Sequence, residues 1–214
     1  MKGFTLLEIA IVLLLLSLIV SFGISFFGFN KDFFYLRDEA KKFSFALNTI
    51  SDLSQKVISG ASNDYFCAYG IYFPSSTSYE VLAFSTSTKL CEYIFSSSTL
   101  INNFINSNLN QKKYIHQNQQ ISSSIIPQLT LNTNLSKAAS FSFSTSTKNC
   151  SSNTIQPPLL FLYVYSYVDL FFMYQKGSSG WEKINSDKIY LCLLKGVERY
   201  TIKINKLGQI TFEK

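Results

Sequence analysis

Residues 4–29 read FTLLEIAIVLLLLSLIVSFGISFFGF, and their only ionisable side chain is Glu8. As a helix this stretch rises roughly 39 Å at about 1.5 Å per residue, enough to cross a hydrocarbon core of about 30 Å. Three readings compete for it: a cleaved secretory signal, a plain signal anchor, and an anchor with a second task. Lys2 followed by the apolar run Ile9–Val20 suits a secretory signal, and Ser21-Phe22-Gly23 is a weak small-x-small cleavage site. Glu8 does not suit one. A carboxylate at the centre of a membrane helix costs on the order of 2.5–3.5 kcal/mol and less near an end, so a disposable segment has no reason to carry it. An acid in that setting is expected to have a partner.

Outward from this stretch the composition changes. The 214-residue chain is 47% hydrophobic and 15% charged with a net charge of +6, which excludes a disordered protein. From Asn30 onward the sequence is rich in Ser, Thr and Asn, so the length divides into one domain and an appendage at the front.

Lys2-Gly3-Phe4-Thr5-Leu6-Leu7-Glu8, followed by an apolar run, resembles the amino-terminal signature of type IV pilins and pseudopilins. In that family a prepilin peptidase cuts after the glycine and methylates the new amino terminus. The resemblance covers roughly the first 30 residues and implies that Gly3 precedes the cut, Phe4 becomes the N-methylated first residue, and Glu8 is the acid used in assembly. Major pilins of the family often carry a proline in the second half of this helix. Here there is none, and Gly23 and Gly28, each disfavoured by about 1 kcal/mol relative to Ala, are the candidates for loosening it. The chemistry fits the motif. A cut after Gly3 leaves an amine at the tip of an apolar helix about one turn from Glu8. A sister helix docked one step out of register brings its amine to Glu8, which exchanges two poorly solvated charges for a charge-assisted hydrogen bond.

Ala10, Ser17, Ser21, Ser25 and Gly28 form a stripe of small residues along the same helix. In lipid, close approach through small residues and hydroxyl hydrogen bonds drives helix association, so the stripe suits a filament core or any dimerising membrane helix. Beyond it, Leu36, Ala40, Phe43, Leu47, Ile50, Leu53 and Val57 recur every three or four residues, with Arg37, Asp38, Lys41 and Lys42 at polar positions. Residues 30–60 are therefore an amphipathic helix that packs on a head, with Gly60 as its stop. A coiled coil is the alternative, but no e/g charge pattern supports it.

Residues 61–214 are long enough to enclose a core of their own. Tyr65–Phe73 and Tyr79–Phe84 flank Pro74-Ser75-Ser76-Thr77-Ser78 as a hairpin. Leu159–Tyr174 reads as strand broken near Asp169, Gly177-Ser178-Ser179-Gly180 as a turn before Trp181, Ile189–Leu194 as strand, and Tyr200–Asn205 with Gln209–Glu213 as strands about a Lys206-Leu207-Gly208 turn. Leu100, Ile101, Phe104, Ile105 and Leu109 have the spacing of a short helix. FSTSTKLC at 84–91 nearly recurs as FSTSTKNC at 143–150, through shared ancestry or Ser/Thr-rich coincidence. The fold class expected from all this is α+β: a leader over 1–3, a membrane-spanning polymerisation helix over 4–29, the amphipathic helix over 30–60, and a mostly antiparallel β head over 61–214.

Cys67, Cys91, Cys150 and Cys192 lie in the head without a close C-x-x-C pair, so a zinc motif is absent and no metal ligand set is assigned. In an extracytoplasmic head two disulfides are expected, and four cysteines allow three connectivities. Cys67–Cys91 with Cys150–Cys192 is preferred because each closes a local strand-to-strand unit. Carboxy-terminal disulfide loops in the pilin family support the second pair. His116, the one histidine, has no cysteine or acid close by, there is no Gly-rich phosphate loop, and nothing in the chain supports an enzyme or a cofactor. Lys183–Lys214 holds seven basic and three acidic side chains; an ordinary basic surface is the favoured explanation, and contact with DNA phosphates through Lys195, Arg199, Lys203 and Lys206 is the functional alternative.

The resemblance thus implies a structural subunit. It would sit in the cytoplasmic membrane as a single pass, amino terminus inside and head outside, and then assemble into a pilus or a type II secretion pseudopilus. Its partners would be other pilin subunits, the prepilin peptidase, the inner-membrane assembly machinery and the lipid bilayer. The second reading is a minor subunit whose basic head captures DNA or another polyanion, and the third is an unprocessed membrane protein with a β receptor domain.

Overall fold

The computed structural model of the chain describes residues 6–55, 58–59, 65–86, 91–111, 113–115, 121–122, 139–146, 148, 150, 154–165, 167, 169–177 and 180–213; of these, the side chains of 23–30, 58–59, 92, 113–115 and 121–122 are left aside. In chain order the elements are α1 (Leu6–Ser54), β1 (Ile58–Ser59), β2 (Tyr65–Ser75), β3 (Ser78–Thr86), α2 (Cys91–Ile94), α3 (Ser98–Gln111), β4 (Lys113–Ile115), β5 (Ile121–Ser122), β6 (Ala139–Ser144), β7 (Thr154–Ile155), β8 (Leu159–Val164), β9 (Leu170–Gln175), β10 (Trp181–Lys183), β11 (Lys188–Lys195), β12 (Glu198–Asn205) and β13 (Ile210–Glu213).

The strands form two antiparallel sheets. One runs β10-β9-β8-β2-β3-β4-β5 with β1 also on β2, and the other runs β13-β12-β11-β6-β7. The hairpin expected around residues 74–78 is β2–β3, the break near Asp169 separates β8 from β9, and the Lys206–Gly208 turn joins β12 to β13. β8 is buried at every position because both its faces are covered. Leu159, Phe161 and Tyr163 alternate into the core shared by the two sheets, and Leu160, Leu162 and Val164 point to the opposite side, where α2 and α3 lie. The two sheets are tied at opposite ends: the Phe141 amide donates to the Ser76 carbonyl and the Leu170 amide to the Lys206 carbonyl.

The outer half of α1 lies between the sheets. Leu36, Ala40, Phe43, Ala46, Leu47 and Ile50 are fully buried against side chains of both, and the Phe43 ring sits 5.7–6.3 Å from Tyr79, Phe73 and Phe161. This is the periodicity read over residues 36–53. The helix ends at Ser54, however, and Ile58–Ser59 pairs with Phe66 and Tyr65 as a strand, because the edge of β2 offers β-branched Ile58 a ladder partner. Gly60 lies outside the described residues.

Two expectations are corrected. The fold is mostly β rather than α+β: the aromatic and branched residues of the head supply the two sheets, and α2 and α3 are short additions to the outer face of one of them. The second concerns the membrane span expected over residues 4–29. No helix among the described residues is long and apolar enough to cross a membrane. The described apolar side chains of the arm end at Phe22, and from Leu36 on the same helix is committed to the core of the head.

One core residue is strained by its chemistry. Tyr69 is fully buried, its hydroxyl has no hydrogen-bond partner among the described residues, and burial pushes the phenol from its ordinary value of 10 up to about 12. The folded state therefore keeps a proton that the unfolded chain has already lost. The contribution to stability is complete below pH 10 and disappears as pH rises from 10 to about 12. Burial also raises Tyr79 and Tyr163, which steepens the alkaline decline. Tyr69→Phe is expected to stabilise the protein by about 1 kcal/mol at neutral pH, since it removes an unsatisfied buried hydroxyl, and to make the loss between pH 7 and 11 smaller. Urea midpoints at the two pH values test both parts.

Candidate assembly surface

The inner part of α1 projects from the head as an arm. From Leu6 to Phe22 every large apolar side chain is between 46% and 88% exposed, a continuous apolar surface on all sides of the helix. A helix that is hydrophobic all round is stable only when something covers it, and exposed apolar patches beyond a few hundred Å² mark interaction surfaces. Glu8 stands in the first turn of this arm, beside a shallow apolar depression formed by Ile9, Ile11, Val12 and Leu13. Gly3 and Phe4 lie outside the described residues.

Three members of the small-residue stripe, Ala10, Ser17 and Ser21, are exposed on the arm. The Ser17 hydroxyl donates to the Leu14 carbonyl of its own helix at 2.8 Å, so it brings a satisfied polar group to any close contact. Ser25 and Gly28 are helical, and their side-chain surroundings are not among those described.

Where the arm meets the head it is held by a mixed ionic and aromatic clamp. Lys195 Nζ lies 2.7 Å from Asp32 Oδ1 and 4.6 Å from the centroid of Tyr35, and Phe33 packs on Tyr200, which packs in turn on Phe212. A turn further on, Lys42 bonds Glu39 at 2.8 Å and Asp38 at 3.2 Å. The bond to Glu39 holds the Lys42 ammonium above its ordinary range, and it compensates a carboxylate that would otherwise be buried alone.

The four cations considered for DNA do not share one surface. Lys195 belongs to the clamp, and Lys206 pairs with Asp187, whose carboxyl it holds below the usual range. Arg199 and Lys203 project together from the side of β12 that faces away from the core, opposite Leu194 and Tyr190 of β11. His116 is outside the described residues, and among those described no group of acids, cysteines and histidines could hold a metal ion.

The head is stapled as the preferred connectivity anticipates. Cys67 is bonded to Cys91 and Cys150 to Cys192, with Cα separations of 5.3 and 6.3 Å. The first joins β2 to α2 and the second ties the loop after β6 to the middle of β11, each closing a loop that such a link stabilises by roughly 2–4 kcal/mol. Sequence reasoning did not find the polar clamps of α3. Asn108 accepts from the Ser85 amide at 2.7 Å and donates to the Ser85 and Phe104 carbonyls. Asn106 accepts from the Trp181 indole at 3.1 Å, and Asn102 accepts from the Trp181 amide. The available signal was the run of asparagines that includes 102, 106 and 108, in a segment otherwise read only for its apolar positions. Gly208 closes the β12–β13 turn with φ +72, and the Tyr163 hydroxyl occupies the place a Cβ would take, so no other residue fits there.

Fold and surface together define a class: a disulfide-stapled β head grown around the outer half of a helix whose inner half is an uncovered apolar arm. No family model, no curated protein and no solved structure matches the chain.

Proposed function

We propose that this chain is a filament subunit of the type IV pilin or pseudopilin kind, cut after Gly3 by a prepilin peptidase, methylated at Phe4, and polymerised by packing its arm against the arms of sister subunits into a pilus or a secretion pseudopilus. The observation that supports it is the arm, whose large apolar side chains are all at least 46% exposed while the continuation of the same helix is the centre of the head's core. Such a helix needs partners of equal apolarity, and copies of itself are the partners always present. Disulfides in the head agree with assembly outside the cytoplasm.

In this reading Glu8 receives the new amino terminus of a sister subunit and sets the register of an otherwise slippery apolar contact. Glu8→Ala is expected to leave processing intact and to weaken each contact by about 2 kcal/mol, on the order of thirtyfold. Electron microscopy of filament yield, with mass spectrometry of the amino terminus, reads both. A mature protein that retains its first three residues, or normal filaments from Glu8→Ala, would count against the assignment.

A further inference from the structure

We propose that the outer face of the larger sheet carries a binding site for a small amphipathic carboxylate, an acid with a compact apolar body and one anionic head, in the cavity that β8, β9 and β10 form with α2 and α3. The site lies wholly in the head and is independent of how the arm is covered.

Strand alternation builds the floor. Leu162 of β8 and Phe171 and Met173 of β9 point to the side of the sheet away from α1, and Trp181 of β10 joins them there. Phe95, just after α2, and Ile101 of α3 close the cavity from above. It measures about 460 Å³, within the range of roughly 300–1,000 Å³ typical of small-ligand sites. Its walls are fixed in advance. Cys67–Cys91 staples α2 to β2, and Asn102 and Asn106 of α3 accept from the amide and the indole of Trp181. Gly180, at φ +106, lets α3 come this close to β10. A ligand entering such a site does not bear the cost of ordering its walls.

The charges at the cavity select the ligand. Two ionisable side chains line it, Glu182 and Lys183. Glu182 accepts from the Tyr174 hydroxyl at 2.8 Å and lies 3.3 Å from the Lys176 ammonium, so its charge is already met. Lys183 has no acid paired with it among the described residues, and its Nζ stands 4.6 Å from the centroid of Phe171. The ring positions that ammonium without neutralising it. A cation held above an aromatic cavity favours a molecule that is apolar at one end and anionic at the other. A neutral apolar molecule leaves the ammonium unused, and an amine is repelled by it.

Trp181 is the chain's one tryptophan and is 3% exposed in the cavity floor, so its emission reports on this cavity and not on the arm. In the full chain, octanoate is expected to shift that emission saturably, and octan-1-ol, with the same apolar body and no charge, to bind about three- to tenfold more weakly. Lys183→Gln is expected to weaken octanoate by the same factor and to leave octan-1-ol unchanged. Lys183→Glu should reverse the preference, so that octylammonium binds more tightly than octanoate. Lys183 is exposed, and both variants should keep the parent's urea midpoint. No saturable shift with octanoate, equal affinity for octanoate and octan-1-ol, or a preference for octanoate that survives Lys183→Glu would overturn the proposal. Whether the chain polymerises changes none of these readings.

Discussion

Phe43→Ala should lower the unfolding free energy by about 3–5 kcal/mol, as expected for truncation of a fully enclosed aromatic side chain. The ring is 0% exposed and touches Phe73, Tyr79 and Phe161, so its removal leaves a void where helix and sheets meet. Domains of this size are stable by only about 5–15 kcal/mol, so the loss is a large share of the total. In a thermal scan it corresponds to a fall of roughly 6–20 °C in the midpoint. Phe45→Ala is the control: it is two residues away and 66% exposed, and its stability should stay within about 0.5 kcal/mol of the parent. Equal effects at the two positions would mean that α1 does not lie between the sheets with the side seen here.

Leu16→Asp has the second large expected effect, and it falls on assembly instead of folding. Leu16 is 52% exposed in the arm and touches nothing that the head needs, so the unfolding midpoint should be unchanged. In a filament the new carboxylate would be enclosed by apolar arms without a counter-charge. That costs about 3–5 kcal/mol per subunit, on the order of a thousandfold in association. The expected result is a folded, disulfide-bonded subunit that forms no filaments in sedimentation or electron microscopy. Retained filaments would show that the arm's apolar surface is not the polymer contact.

The two substitutions separate what the two halves of one helix do. From residue 36 onward one side of the helix is buried by its own chain, and up to residue 22 every side is exposed. The sequence carries a trace of this in the shift from a uniformly apolar run to a three-and-four periodicity. The amphipathic half was legible because its buried positions follow the helix period, and Leu36, Ala40, Phe43, Leu47, Ile50 and Leu53 are all enclosed. A uniformly apolar run does not by itself say whether lipid or protein covers it, so the span expected over 4–29 does not follow from apolarity alone.

Local chemistry by itself determined the strands β2, β3, β8, β9, β11, β12 and β13 with their turns, and it favoured, among three connectivities, the cysteine pairing that forms. Alternation, glycine and proline act over a few residues, and both disulfides close units that are local in the chain. Only the tertiary structure decided how those strands divide into two sheets, that α1 lies between them while α2 and α3 cover the far face of one, and that Lys195 and Lys206 are held by Asp32 and Asp187. A strand with two apolar faces, such as Leu159–Val164, does not say which element will cover either face. An exposed lysine in the sequence does not say which acid will meet it. Both depend on contacts between residues far apart in the chain, and those form only when the whole core closes.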